Sequence, residues 1–164
     1  MASPKKDQKI TVQIAKNFTE INTHHAKIRK LVNTVLNHSN LSQESETVVS
    51  IAIVDDAEIR KLNKKFLKRK SNTDCLSFDL SDSQDTKSQN IFELIVNGEM
   101  AVRQANLRGH SPQAELALYI THGLLHNLGF DDSTETKANK MHKMEDKILQ
   151  QLGYGLVYNK DEKK

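Results

Sequence analysis

Two histidines four residues apart, His122 and His126, followed by Gly129 and the acidic pair Asp131 and Asp132, are the side chains of this sequence best placed to do chemistry. At about 3.6 residues per helical turn their imidazoles share one face and can converge on a single ion. A glycine just past a helix end can take the left-handed conformation that reverses the chain. That reversal would carry the acidic pair back toward the histidines. Both aspartates are available as a third ligand, and the spacing His-x3-His-x2-Gly-x2 favours Asp132 over Asp131. Three protein ligands with a fourth position left for water is the arrangement of a catalytic zinc site rather than a structural one. A carboxylate is an acceptable zinc donor, although its negative charge reduces the metal's power to acidify water. A bare histidine pair at this spacing also occurs as a hydrogen-bonded pair without any ion, so the glycine and the acidic residue carry the metal reading. A zinc peptidase is disfavoured, because Gly123 stands where HExxH enzymes place their general-base glutamate.

The elements that must position these residues can be read on either side of them. Ser111 and Pro112 supply an N-cap and first-turn signal for the helix bearing the histidines, with Leu116, Ile120, Leu124 and Leu128 as its buried stripe. After the acidic turn, Ser133 is placed to cap a last helix whose Met141, Met144, Ile148 and Leu152 face inward. Upstream, Ile10, Val12 and Ile14 alternate with polar residues as in a half-buried strand. A helix with the stripe Ile28, Leu31, Val32, Val35 and Leu36 follows, and residues 48–54 read as a second strand. Asp55 and Glu58 form the pattern of a capping box for a further helix, whose Ile59, Leu62 and Phe66 are expected on the core. Residues 75–80 and 91–97 read as two more strands joined by a polar, mobile linker.

The expected architecture is α+β: one domain over 9–158, with a small sheet of about four strands, mostly antiparallel or mixed, packed against helices. Charged tails are expected at 1–8 and 159–164. A chain of 164 residues is near the usual size of one domain and can bury about 70% of the surface its unfolded form exposes. Cys75 is the single cysteine, so no intramolecular disulfide can form, and it reads as a small buried apolar residue. With no long apolar run and no signal-peptide pattern at residues 1–6, a reducing cytoplasm and no membrane partner are expected.

The 24 basic and 21 acidic residues leave a net charge of +3, which decides little, whereas their distribution is informative. Arg60, Lys61, Lys64, Lys65, Lys68, Arg69 and Lys70 fall within eleven residues that contain no Asp or Glu. Such a field attracts a phosphate backbone, and Lys64, Lys65, Lys68 and Arg69 are the RNA-binding residues expected from it. The plainer account is a solvated helix face. Of the remaining histidines, His24, His25, His38 and His142 lie at no ligand spacing and read as surface residues.

The chain resembles the YbeY family of bacterial endoribonucleases that mature ribosomal RNA. Its hallmark, His-Gly-x-Leu-His-x-x-Gly-Tyr/Phe-Asp-His followed by Met-x3-Glu, is matched by His122-Gly123-Leu124-Leu125-His126-Asn127-Leu128-Gly129-Phe130-Asp131, then Met141 and Glu145. Thr73-Asp74-Cys75-Leu76-Ser77-Phe78, Arg103-Gln104-Ala105, Gly109-His110-Ser111 and Leu152-Gly153-Tyr154 extend the likeness over about residues 50–154. Asp132 replaces the family's third histidine ligand, Leu67 its arginine after an aromatic residue, and Phe92-Glu93 its Gly-Asp. The resemblance implies one zinc, or another transition metal, per chain on His122, His126 and Asp132, with Glu145 a weaker candidate for orienting a ligand from behind. It implies metal-dependent cleavage of single-stranded or ribosomal RNA, with the small ribosomal subunit as a partner. Two other readings stay beside it: an RNA- or ribosome-binding protein of this fold with weakened catalysis, and a metal-dependent hydrolase of another substrate.

Overall fold

Among the described residues nine elements follow one another: β1 (Ile10–Lys16), α1 (His25–Asn37), β2 (Thr47–Val54), α2 (Asp56–Leu67), β3 (Cys75–Asp79), β4 (Asn90–Asn97), α3 (Gly98–Arg108), α4 (Pro112–Asn127) and α5 (Glu135–Gln151). They come from a computed structural model that describes residues 9–39, 41, 45–82, 89–155 and 157. The tails expected at 1–8 and 159–164, and most of the linker between β3 and β4, lie outside the described residues. The strands form one sheet in the order β1-β2-β4-β3. Its two parallel pairs, β1 with β2 and β2 with β4, are each bridged by helical connections, as parallel neighbours require. β3 joins antiparallel, with Leu76 opposite Ile95 and Ser77 opposite Leu94. Of the two sheet types expected, the mixed one is found.

Period-two alternation divides the sheet into two faces. On the inner face Val49, Ile51 and Ile53 of β2 and Phe92, Leu94 and Val96 of β4 join the expected α1 stripe and residues of α4 and α5 in one core. On the outer face Val54, Leu76 and Ile95 pack with Ile59 of α2 in a smaller cluster. Asp55 caps α2 as expected, its carboxylate accepting the Glu58 N–H at 2.8 Å. Phe66 does not join that cluster: it is 54% exposed. β3 is the edge strand, so the last turn of α2 reaches only the rim of the sheet, and the buried position nearest it is Asn63, whose amide donates to the Ser71 carbonyl.

α4 runs through the middle of the molecule. Ser111 caps it by accepting the Ala114 N–H, and Pro112 occupies its first turn. Leu116, Ile120 and Leu124 are buried as the spacing predicts, but so are Ala117, Leu118, Tyr119, Thr121 and Leu125. The helix is enclosed on several sides because α1, α3, α5, β3 and β4 all pack on it. Truncating Leu124, which is 0% exposed, to alanine would cost about 2–5 kcal/mol. The approach to the sheet is closest at Gly123, where a Cβ would stand 2.5 Å from the Cys75 Sγ and 3.1 Å from a Leu94 methyl. Gly123 therefore serves packing, and it sets the start of β3 directly beside His122. At α5, Thr134 rather than Ser133 is the N-cap, its hydroxyl accepting the Lys137 N–H, while the Ser133 N–H is held by Asp131 in the preceding turn.

Candidate metal centre

The C-terminal end of α4 is built by a glycine-dependent reversal. The N–H of Gly129 returns to the His126 carbonyl and that of Phe130 to the Leu125 carbonyl, with Gly129 at φ 95°. This is the paired closure that needs a left-handed residue just past the helix. The same turn has two consequences for chemistry. It places the Phe130 carbonyl 3.1 Å from the His126 Nδ1, and it sends the chain back so that Asp132 Oδ2 lies 3.7 Å from the His122 Nε2 and 3.6 Å from the His126 Nε2.

The two Nε2 atoms are 3.1 Å apart, and their rings stand nearly perpendicular at 86°. In a tetrahedral zinc site with bonds of about 2.0–2.1 Å, neighbouring donor atoms are separated by roughly 3.3 Å. The three separations here bracket that value. Among the described residues, His122, His126 and Asp132 are the group of three whose donor atoms could hold one ion.

Protonation makes the case stronger than distance does. The His122 Nδ1 lies 2.6 Å from Oε1 of Glu145, a carboxylate that is 0% exposed. An ionised carboxylate and a backbone carbonyl can only accept, so each histidine must carry its proton on Nδ1. Both Nε2 lone pairs then point at each other and at the Asp132 carboxylate. Three electron-rich atoms at such distances repel unless a cation, either a metal ion or an added proton, stands between them. Burial acts to lower the pKa of His122, but the Glu145 hydrogen bond and charge, with the charges of Asp74 and Asp132, outweigh it and hold it above 6.5.

Glu145 therefore does more than the sequence indicated. Its second oxygen accepts from the His142 Nδ1 at 3.1 Å, so His142 is not the surface residue expected: it is mostly buried and helps to fix the carboxylate. The i, i+3 spacing of His142 and Glu145 on one helix was the available signal. Asp131, the competing ligand, is turned away. It accepts the Ser133 N–H and pairs with Lys137 at 3.1 Å, and these contacts, Ser133 first, draw its pKa down to about 2.

At the other end of α4 a second carboxylate appears that sequence reasoning missed. Glu115, 1% exposed, is gripped by the His110 Nε2 and by Arg108 at 3.5 Å. His110 is thus a local clamp. Asp74 is close enough to raise the pKa of both His122 and Tyr119, while its carbonyl accepts the Asn97 N–H at 2.8 Å and so also fixes the entry to β3. Cys75 packs against Gly123, and burial pushes its thiol pKa up, in keeping with an inert residue.

The basic run is split in two. Lys64 and Lys65 lie in the last turn of α2, whereas Lys68 is left-handed at φ 55° and Arg69 and Lys70 follow it in the turn toward β3. All five are exposed, but they do not form one helix face.

Fold and site together define a class: a small α+β domain whose central helix ends in three convergent metal-donor atoms backed by a buried carboxylate. The family model described as Endoribonuclease YbeY matches residues 11–153. The endoribonuclease YbeY of Carboxydothermus hydrogenoformans is 36% identical over 142 residues, covering 83% of this chain and 98% of that one. The same-named protein of Thermoanaerobacter sp. (strain X514) is 33% identical over 140 residues, covering 78% and 87%. A solution structure from Thermotoga maritima, 20% identical, shares the fold with a TM-score of 0.53 over 86% of this chain and 91% of that one. The chain belongs to the endoribonuclease YbeY family. Since the match begins at residue 11, α1 and all of β1 but Ile10 lie within it, although they carry none of the residues on which the sequence resemblance rested.

Proposed function

We propose that this chain, as one catalytic unit over 9–158, cleaves phosphodiester bonds of single-stranded RNA with one zinc ion, and that it acts in the cytoplasm on ribosomal RNA during small-subunit maturation. The observation that carries the metal-dependent reading is the convergence of the His122 Nε2, His126 Nε2 and Asp132 Oδ2 lone pairs, with both Nδ1 protons already committed elsewhere. Family membership supports RNA as the substrate.

His122, His126 and Asp132 would hold the ion. When bound, it supplies Lewis acidity toward a phosphoryl oxygen and toward water. Glu145 keeps the proton on the His122 Nδ1 and so keeps the Nε2 lone pair directed at the site, the usual task of a carboxylate behind a ligating histidine. Asp132, 47% exposed on its side chain, leaves the open side of the site toward solvent, where an RNA strand can enter. Lys64, Lys65, Lys68 and Arg69 would offset phosphate charge where the family's arginine is replaced by Leu67. No helix among the described residues is long and apolar enough to cross a membrane.

Elemental analysis of the purified protein, paired with cleavage of a short single-stranded RNA and its duplex with and without chelator, tests this reading. The expected result is one metal per chain and chelator-sensitive internal cleavage of the single strand only. Cleavage that survives complete metal removal would overturn the mechanism.

A further inference from the structure

The outer face of the sheet is covered by α2 only around Val54, Ile59, Leu76 and Ile95. Where the sheet ends at β3, large apolar side chains are left at the surface: Phe66, 54% exposed, with Leu67 on the last turn of α2, and Leu80 just after β3. Phe66 is not loose. Its ring meets that of half-buried Phe78 edge-on, centroids 5.7 Å apart at 66°, and the Lys65 Nζ stands 5.3 Å from its centroid. Phe66 stays more than half exposed despite these contacts, and the lysine beside it attracts anionic groups. Lys64, Lys65, Lys68 and Arg69 lie within three residues of Phe66 along the chain, and none of the four is ion-paired with a described residue.

Exposed aromatic surface among cations matches a nucleotide in both its parts, because every base offers a π-face and every linkage a negative charge. Of the nearby carboxylates, Glu93, the partner of Phe78 in the β3–β4 ladder, shares the face of Phe78, while Asp79 alternates to the other face. They would repel a backbone crossing the sheet, so the phosphates belong beside the cations at the end of α2 with the base turned toward the rings. The segment joining this place to the candidate metal centre is short and tied down. The Arg69 N–H and the Ser71 carbonyl are both bonded to Asn63, and the segment ends at Asp74 and at Cys75, which touches Gly123 beside His122. Phe78 lies three residues along β3 from Cys75, about 10 Å at the strand rise.

We propose that Phe66, backed by Phe78, is a stacking platform for one base of single-stranded RNA a few nucleotides from the bond that is cut, with Lys64, Lys65, Lys68 and Arg69 on the flanking phosphates. This rests on the reading of the chain as an enzyme acting on RNA, and adds to it a subsite that contacts bases without selecting among them.

The test uses the full-length protein and a fluorescently labelled single-stranded RNA of about ten nucleotides, at a temperature and for a time over which gels show it intact. Affinity is read by anisotropy across a salt series for wild type, Phe66→Leu and Phe66→Trp. Phe66→Leu should bind roughly five- to a hundredfold more weakly, as expected for one lost base–aromatic stack, and Phe66→Trp should match or exceed wild type. The slope of affinity against salt should not move, because no cation is removed. On an oligomer of the same length with abasic sites, wild type and Phe66→Leu should bind alike. Three results would overturn the platform: equal affinity of Phe66→Leu and wild type, an equal loss on the abasic oligomer, or a flattened salt slope. A wild type that cleaves RNA while Phe66→Leu binds normally removes the platform alone. A wild type that binds no RNA removes the RNA reading and the platform with it.

Discussion

The two ends of α4 each hold a buried glutamate against a histidine, and they do different things with it. At the N-terminal end Glu115 takes the His110 Nε2 and Arg108, while the other ring nitrogen of His110, Nδ1, is buried and meets no hydrogen-bonding partner among the described residues. At the C-terminal end Glu145 takes the His122 Nδ1, and the other ring nitrogen faces the His126 Nε2 and a half-exposed aspartate. One pair closes on itself with an arginine to balance the charge, and its effect is on stability. The other leaves an oriented lone pair among electron-rich neighbours at an open edge. A buried histidine–carboxylate pair is therefore not in itself a sign of chemistry; what the second ring nitrogen meets decides it.

The largest effect expected from breaking this contrast is at the ligands. His126→Ala should remove stoichiometric metal by elemental analysis and lower RNA cleavage by at least about a hundredfold, with the circular-dichroism spectrum retained. Full metal retention in both His126→Ala and His122→Ala would dismiss the site as drawn. One step behind the ligands, Glu145→Ala should weaken metal affinity roughly 10–100-fold in a competition titration, with Glu145→Gln in between, because the amide oxygen can still accept from Nδ1.

The converse change belongs to the other end. Glu115→Ala should destabilise the fold by about 2–4 kcal/mol in denaturant, since it strands a buried histidine and an arginine, yet leave metal content unchanged. Metal loss without destabilisation would mean the two ends are coupled rather than separate.

The effect of pH has a definite sign. The pKa of His122 is raised in the metal-free fold. Its contribution to stability is therefore fully present below the ordinary value of about 6.5 and is lost as pH rises through the raised value. Metal needs the unprotonated ring, so affinity should fall as pH drops through the same window. Thermal melts of chelated protein should show this gain on acidification, and His122→Gln should abolish it. The smallest change expected is from Asp132→His, which should raise zinc affinity by no more than about tenfold, imidazole replacing a half-exposed carboxylate. A fall in affinity would show that the carboxylate is the better ligand in this turn.

Much of this was legible in the sequence because it is local. Period-two alternation over Ile10–Lys16, the α1 stripe, the Asp55 and Ser111 caps and the Gly129 reversal each depend on residues a few positions apart. The spacing of His122 and His126 placed two donor atoms on one helix face for the same reason. Misreadings fell where a neighbour distant in sequence intervened. Phe66 was expected inside because helical period alone cannot tell where a sheet ends; the shift of the α5 cap from Ser133 to Thr134 is instead a local difference of one residue at a helix start.

What the sequence by itself determined is the metal-donor types, their spacing and the turn that returns the third one, together with membership of the family. Only the tertiary structure decided that Glu145, 23 residues beyond His122, stands behind it, that His142 braces Glu145, and that Glu115 is spent on a clamp. It also explained Gly123, which is required by the Cys75 Sγ on a strand far upstream. The physical reason is one of range. Bonds within a helix or turn follow from backbone geometry repeated every few residues, whereas the burial and protonation state of a side chain depend on which other elements close over it.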